Sequence, residues 1–215
     1  EYTKPMNLYF IRAFLHPILV RHAAQAPTTP DGTVRVRMYW IHSLLGFAGI
    51  FLGLLLMAFA VPAYLSSIGQ LIIAALFALL FFIMGGIILL AWKNVYIQTG
   101  VDYVEQRLWV GVPVRIHFNE IDSFSYNPGN TQLTMSRGKL GGWLSLKTTD
   151  NRRIAFQPNY YRGERTIAAI AFRLYYGRWP SPTNPHDQQI LVNTIADGSS
   201  KQYLIENSKG SELTL

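Results

Sequence analysis

The sequence predicts an α+β membrane protein: a two-helix transmembrane hairpin followed by seven short strands closed by one helix. Three observations predict it. No Asp, Glu, Lys or Arg lies between Arg37 and Lys93. From Asn94 the apolar pattern switches from helical spacing to alternation. After the last alternating run, residues 161–176 carry an apolar stripe at helical spacing.

The N-terminal region, 1–32, comes first. Its stretch 7–25 is apolar and aromatic, but Arg12, His16, Pro17, Arg21 and His22 interrupt it. It is too broken to cross a bilayer. It reads either as an interfacial helix divided at Pro17, with its basic groups toward phosphates, or as a helix docked on protein. A Pro-containing linker, 26–32, leads to the hairpin. The chain begins at Glu1 rather than Met, so residues upstream of it are expected.

The hairpin region, 33–93, holds two apolar runs, 41–64 and 68–92. Each exceeds the roughly 20 apolar residues a bilayer crossing takes. The first starts too far into the chain for a cleaved leader, and the second follows almost at once. The short link makes the helices antiparallel neighbours. Arg35 and Arg37 precede the first run and Lys93 follows the second, which predicts both termini on the cytoplasmic side of the inner (plasma) membrane. Trp40 and Trp92 lie near the ends, where amphipathic rings favour the headgroup layer. Arg12, Arg21, Arg35, Arg37, Trp40, Trp92 and Lys93 are thus the expected interfacial anchors. Gly46, Gly49 and Gly53 lie close to one face of the first helix, and Gly49 with Gly53 makes a G-x-x-x-G pair. That face packs the second helix or a partner subunit, with Gly85 and Gly86 as the candidate matching surface. Neither span holds an ionisable group other than His42, near the boundary. This argues against a channel or transporter acting alone.

The domain over 94–180 has candidate strands at 95–99, 103–110, 114–118, 121–126, 131–136, 143–148 and 153–157. Gly-, Pro- and Asn-rich turns separate them. Ile167, Ala168, Ile170, Ala171 and Leu174 form the stripe of the following helix, and Gly177 and Pro180 stop it. Its opening, YIQTGVDYVEQRLWV, and its later HFNEIDSFSYN resemble the bacterial membrane-anchored PH-like domains that sit beside transmembrane helices. The resemblance covers 96–176 and the two-span anchor. It implies a cytoplasmic PH-like seven-stranded β-barrel capped by a C-terminal helix; a fold of this kind does not by itself name a function.

The composition bounds the chemistry. Half of the 215 residues are hydrophobic while mean hydropathy is only +0.16, as for a small anchor joined to a globular part. The net charge of +7 fits cytoplasmic bias or a basic surface for anionic lipids. No single element concentrates that charge, so no nucleic acid is expected. The absence of cysteine excludes disulfides, thiolate catalysis and cysteine-held metals. No two of the five histidines have metal-ligand spacing on a helix. Glu120 and Asp122, two apart on a strand, read as a solvated or arginine-paired face. The glycines of 138–142 lack the strand-to-helix context of a phosphate loop. No catalytic residue, metal or cofactor is expected.

Arg137, Lys139, Arg152 and Arg153 lie in candidate loops and are possible headgroup contacts. In phosphoinositide-binding PH domains the first hairpin is rich in Lys and Arg. Here it reads LWVGVPV between Arg107 and Arg115, a surface for lipid or protein or else a plug of the barrel end. The tail, 181–215, reads as a Pro-rich linker followed by a hairpin turning at Asp197-Gly198, or as an unstructured end. The expected role is a non-catalytic accessory, scaffolding or assembly subunit of a larger membrane complex, with integral membrane subunits as partners. The alternative is a regulator whose PH-like domain binds anionic headgroups.

Overall fold

The computed structural model describes residues 17–30, 32–64, 68–127, 142–208 and 212–214. In order they form helix α1 (17–24), β1 (Val34–Arg37), α2 (Ile41–Tyr64), α3 (Ile68–Asn94), β2 (Tyr96–Thr99), β3 (Tyr103–Arg107), β4 (Val114–His117), a 3₁₀ turn (Phe118–Glu120), β5 (Ile121–Asn127), β6 (Trp143–Thr148), β7 (Arg153–Phe156), α4 (Pro158–Tyr161), α5 (Glu164–Tyr176), α6 (Pro185–Ala196), α7 (Ser199–Ser208) and β8 (Glu212–Thr214). They fall into two compact units. One is the helical pair, Arg37–Tyr96, with the segment Arg107–Val112. The other is the described part of 17–36, Ile97–Gln106 and the described residues from Pro113 on.

The helical pair follows from composition. At about 1.5 Å rise per residue, 24 and 27 residues make rods of roughly 36 and 40 Å. Both are long and apolar enough to cross a membrane. At its start α2 satisfies its own polar groups: Ser43 Oγ donates to the Trp40 carbonyl at 2.6 Å, and His42 Nδ1 lies 2.8 Å from the Tyr39 carbonyl. The seam is made of small residues. Gly46, Gly53, Ala78 and Gly85 are buried while large side chains point outward. A methyl group on Gly85 would lie 2.7 Å from the Gly46 carbonyl oxygen and 3.0 Å from the Ile50 nitrogen. Only glycine permits that backbone approach. Contacts of Gly46 with Gly85 and of Gly53 with Ala78 run in opposite directions along the chain, so the helices are antiparallel.

The other unit is built on two antiparallel sheets, ordered β1-β2-β3-β4 and β7-β6-β5-β8. Alternation sets the register: Val104 pairs with Ile116, and Leu146 with both Phe124 and Ile154. All five are buried in one core, which α5 enters with Ile167, Ile170 and Ala171. A bulge between Ile121 and Ser123 bends β5. The opposite face of α5, Ala168 and Phe172, packs on Leu191 of α6.

The structure revises three expectations and leaves one outside the described residues. Among the described residues the strands form two sheets that do not close into a seven-stranded barrel. Val34–Arg37, assigned by sequence to the hairpin region, is an edge strand of the first sheet, its alternating Val34 and Val36 buried with Ala23. The candidate strand 131–136 lies outside the described residues. The tail is neither a hairpin nor an unstructured end: α6 and α7 are helices, and Leu204 joins the main core. Asn184 caps α6 by accepting from the His186 amide at 3.0 Å, with Pro185 at the first helical position. Asp197-Gly198 is the corner between the two helices, where the Asp197 carboxylate accepts from the Ser199 amide at 2.8 Å. The Pro-rich stretch before α6 is also ordered. Arg178 makes a bidentate pair with the fully buried Asp187 at 2.7 and 2.8 Å, and the Ser181 amide donates to the same carboxylate at 2.9 Å.

Candidate functional site

The helical pair has two kinds of surface. Its inner seam is closed by Gly46, Gly49, Gly53 and Gly85. Gly86 stands apart from them: a methyl there meets nothing within 4 Å. Its outer faces carry exposed Phe47, Phe51, Phe59, Ile73, Leu76 and Leu79. Only 17% of the most apolar window of α2 and 11% of that of α3 are buried.

Because the helices are antiparallel, the start of α2 and the end of α3 share one end. Trp40 is exposed there, its ring tilted against Tyr39 at 5.5 Å, and Trp92 and exposed Lys93 close α3. The turn between β3 and β4 meets this end. Asn94 Nδ2 donates to the Trp109 carbonyl at 3.0 Å, which ties the turn to the last residue of α3. Gly111 adopts φ 99°, a conformation few other residues tolerate, and so allows the chain to reverse. Leu108, Trp109, Val110 and Val112 are 54, 44, 60 and 83% exposed. Of the stretch 108–114, these four side chains are exposed, whereas Val114 packs against the main core. Beside them the Arg107 Nε is buried and has no hydrogen-bond partner among the described residues.

Arg12, Arg137 and Lys139 lie outside the described residues. Arg21 is exposed on α1. Arg35 donates to the Gln98 side chain at 2.7 Å across the first sheet, and Arg37 is exposed at the end of β1. Arg152 is held by protein: it pairs with Asp150 at 2.7 Å and Glu120 at 3.2 Å, and donates to the Arg115 carbonyl at 2.7 Å. A headgroup phosphate would have to displace both carboxylates from it. The His117 amide and then Arg152 hold the Glu120 carboxyl below its usual range, and the Thr148 hydroxyl and then Arg152 do so for Asp150. Arg153 is exposed and donates to the Ser145 hydroxyl at 2.9 Å.

The Glu120 carboxylate is engaged by Arg152 at 3.2 Å and by the His117 amide at 2.9 Å. A shallow pocket of about 320 Å³ is lined by Asp102, His117, Glu120 and Trp179 among others. Trp179 stacks on Phe118 at 5.9 Å, and His117 Nδ1 stands 3.5 Å from the Asp102 carboxylate. Among the described residues no three His, Cys, Asp or Glu side chains are grouped to hold a metal ion. The sequence did not foresee this pocket, because Trp179 reaches Phe118 only through the fold of the segment after α5. No family model, curated protein or solved structure matches the chain.

Proposed function

We propose that this chain is a non-catalytic accessory, scaffolding or assembly subunit of a larger membrane protein complex. In this reading α2 and α3 span the inner membrane with both termini on the cytoplasmic side, and the β-rich unit is a PH-like adaptor. One observation carries it: two rods of membrane-crossing length whose seam is closed by glycines and whose outer faces are almost wholly apolar. In water each large side chain left exposed would forgo about 1.5–3 kcal/mol of burial. In a bilayer the same faces are at rest, and a partner's helices can pack on them. Arg37 and Lys93 at the common end support the cytoplasmic orientation. The PH-like reading is supported by two antiparallel sheets sharing a core with the helix that follows them.

The test is purification from native membranes in mild detergent, followed by mass spectrometry. Stoichiometric integral membrane partners are expected. A monodisperse, partner-free monomer would remove the accessory-subunit reading. Release of the chain by alkaline carbonate would remove the membrane reading itself.

A further inference from the structure

We infer that the β3–β4 turn, Leu108–Val112, is a third membrane contact: it enters the headgroup layer of the bilayer that α2 and α3 cross. The inference rests on reading those helices as spans. The turn is continuous with the span end through the Asn94–Trp109 hydrogen bond, so its depth is tied to the last residue of α3. Apolar residues run along α3 to Trp92, and Lys93 and Asn94 mark the change to polar sequence. A turn fastened there sits at the boundary between acyl chains and phosphates. Its composition suits that layer. Leu108, Val110 and Val112 are aliphatic and exposed, and Trp109 brings the ring type enriched at interfaces. Lys93 and Arg107 flank it with positive charge, which complements anionic headgroups. A protein partner would also cover aliphatic side chains, but the tie to the span end and the adjoining cations favour lipid.

The occupant is therefore a phospholipid surface containing anionic lipid, and it can be tested without a partner protein. The chain has no cysteine, so a single introduced thiol carries a polarity-sensitive fluorophore without background. Val112→Cys is the reporter, because Val112 is 83% exposed and its replacement leaves packing intact. Val110→Cys is a second reporter, and Leu79→Cys reports on the outer face of α3. The full chain is reconstituted in nanodiscs of phosphatidylcholine and phosphatidylglycerol, with and without lipids spin-labelled near the headgroup. Denatured labelled protein supplies the water reference.

The expected result is blue-shifted emission at positions 110 and 112, lost on adding the shallow spin label, with Leu79 also shielded from water. Water-like emission at 110 and 112 beside a shielded Leu79 overturns the inference and leaves the spans standing. Shielded but unquenched reporters at 110 and 112 indicate protein contact and overturn it as well. Water-like emission at Leu79 removes the spans, and the inference with them.

Discussion

Replacing Gly85 with alanine tests the helical pair at its tightest point. The added methyl would sit 2.7 Å from the Gly46 carbonyl oxygen and 3.0 Å from both the backbone nitrogen and Cγ1 of Ile50. Carbon and carbonyl oxygen meet comfortably at about 3.3–3.6 Å, so the deficit is roughly 0.6–0.9 Å. Two of the three obstructing atoms are backbone, so the strain is relieved only if one helix moves. Overpacking of this kind costs about 1–3 kcal/mol. Gly86→Ala is the matched control. Its methyl meets nothing within 4 Å, and it carries the same gain in helix propensity, about 1 kcal/mol. The difference between the two variants removes that gain and leaves the clash: G85A is expected to be about 1–3 kcal/mol less stable than G86A. The other seam glycines fall between. At Gly46 the 2.7 Å contacts are with the Leu89 side chain, which can rotate, while Gly49 and Gly53 have nearest contacts of 3.3 and 3.2 Å. The assay is SDS titration of the full chain in mild detergent, read by energy transfer between labels at Leu44→Cys and Leu90→Cys. Both positions are exposed, at the common end of the helices. Equal midpoints for G85A and G86A, or a lower one for G86A, would refute the packing described here.

Three further outcomes are expected. The Asp187 carboxyl is held at about 2, against an ordinary 3.8, by Arg178 and then by the Ser181 amide. Its contribution is therefore complete above about pH 4 and disappears as pH falls through about 2. Asp187→Asn should melt below wild type at neutral pH and show less loss of melting temperature between those limits. An unchanged pH profile would contradict this. Leu204→Ala should cost about 2–5 kcal/mol in chemical unfolding, as for a fully buried leucine; an inert substitution would mean that α7 is not part of the core. Arg152→Ala should lower the melting temperature while Arg153→Ala leaves it nearly unchanged, because only Arg152 bridges two carboxylates and the Arg115 carbonyl. Equal losses in differential scanning fluorimetry would count against that distinction.

The parts of this fold legible in sequence are those where one local signal dominates. A charge-free apolar run announces a long helix whatever surrounds it, and strict alternation at 143–148 or 153–156 announces a strand. The parts that were misread depend on distant partners. Val34–Arg37 alternates as V-R-V-R, but it is only four residues long and its pairing partner lies beyond both long helices, so the signal is too short to stand out from an approach to a span. The tail failed for a different reason. Asp-Gly signals a hairpin turn when extended runs flank it, but it closes a helix equally well. The arbiter was present: Asn184-Pro185 is a helix start, and Leu191 and Ile195 are four apart. Arg152 and Arg153 read as possible headgroup contacts because they are adjacent in a candidate loop, and the sequence does not show which protein groups Arg152 meets. Only the fold brings Glu120 to it.

The same comparison separates structural charge from interfacial charge in this chain. Glu105 meets Arg115 at 2.7 Å, and Asp150 and Glu120 meet Arg152. Asp187 meets Arg178. Each of these acidic groups has its cation within the β-rich unit. The segments assigned to the helical pair contain Arg37, Lys93 and Arg107 and no Asp or Glu. Lys93 follows Trp92 at the end of α3, and Arg107 adjoins the apolar turn. Under the proposed membrane reading, a phosphate-rich layer would accept Lys93, the rings and the aliphatic side chains at the same depth. In that reading the exposed apolar side chains and the flanking cations of the helical unit call for the same layer, although neither depends on the other.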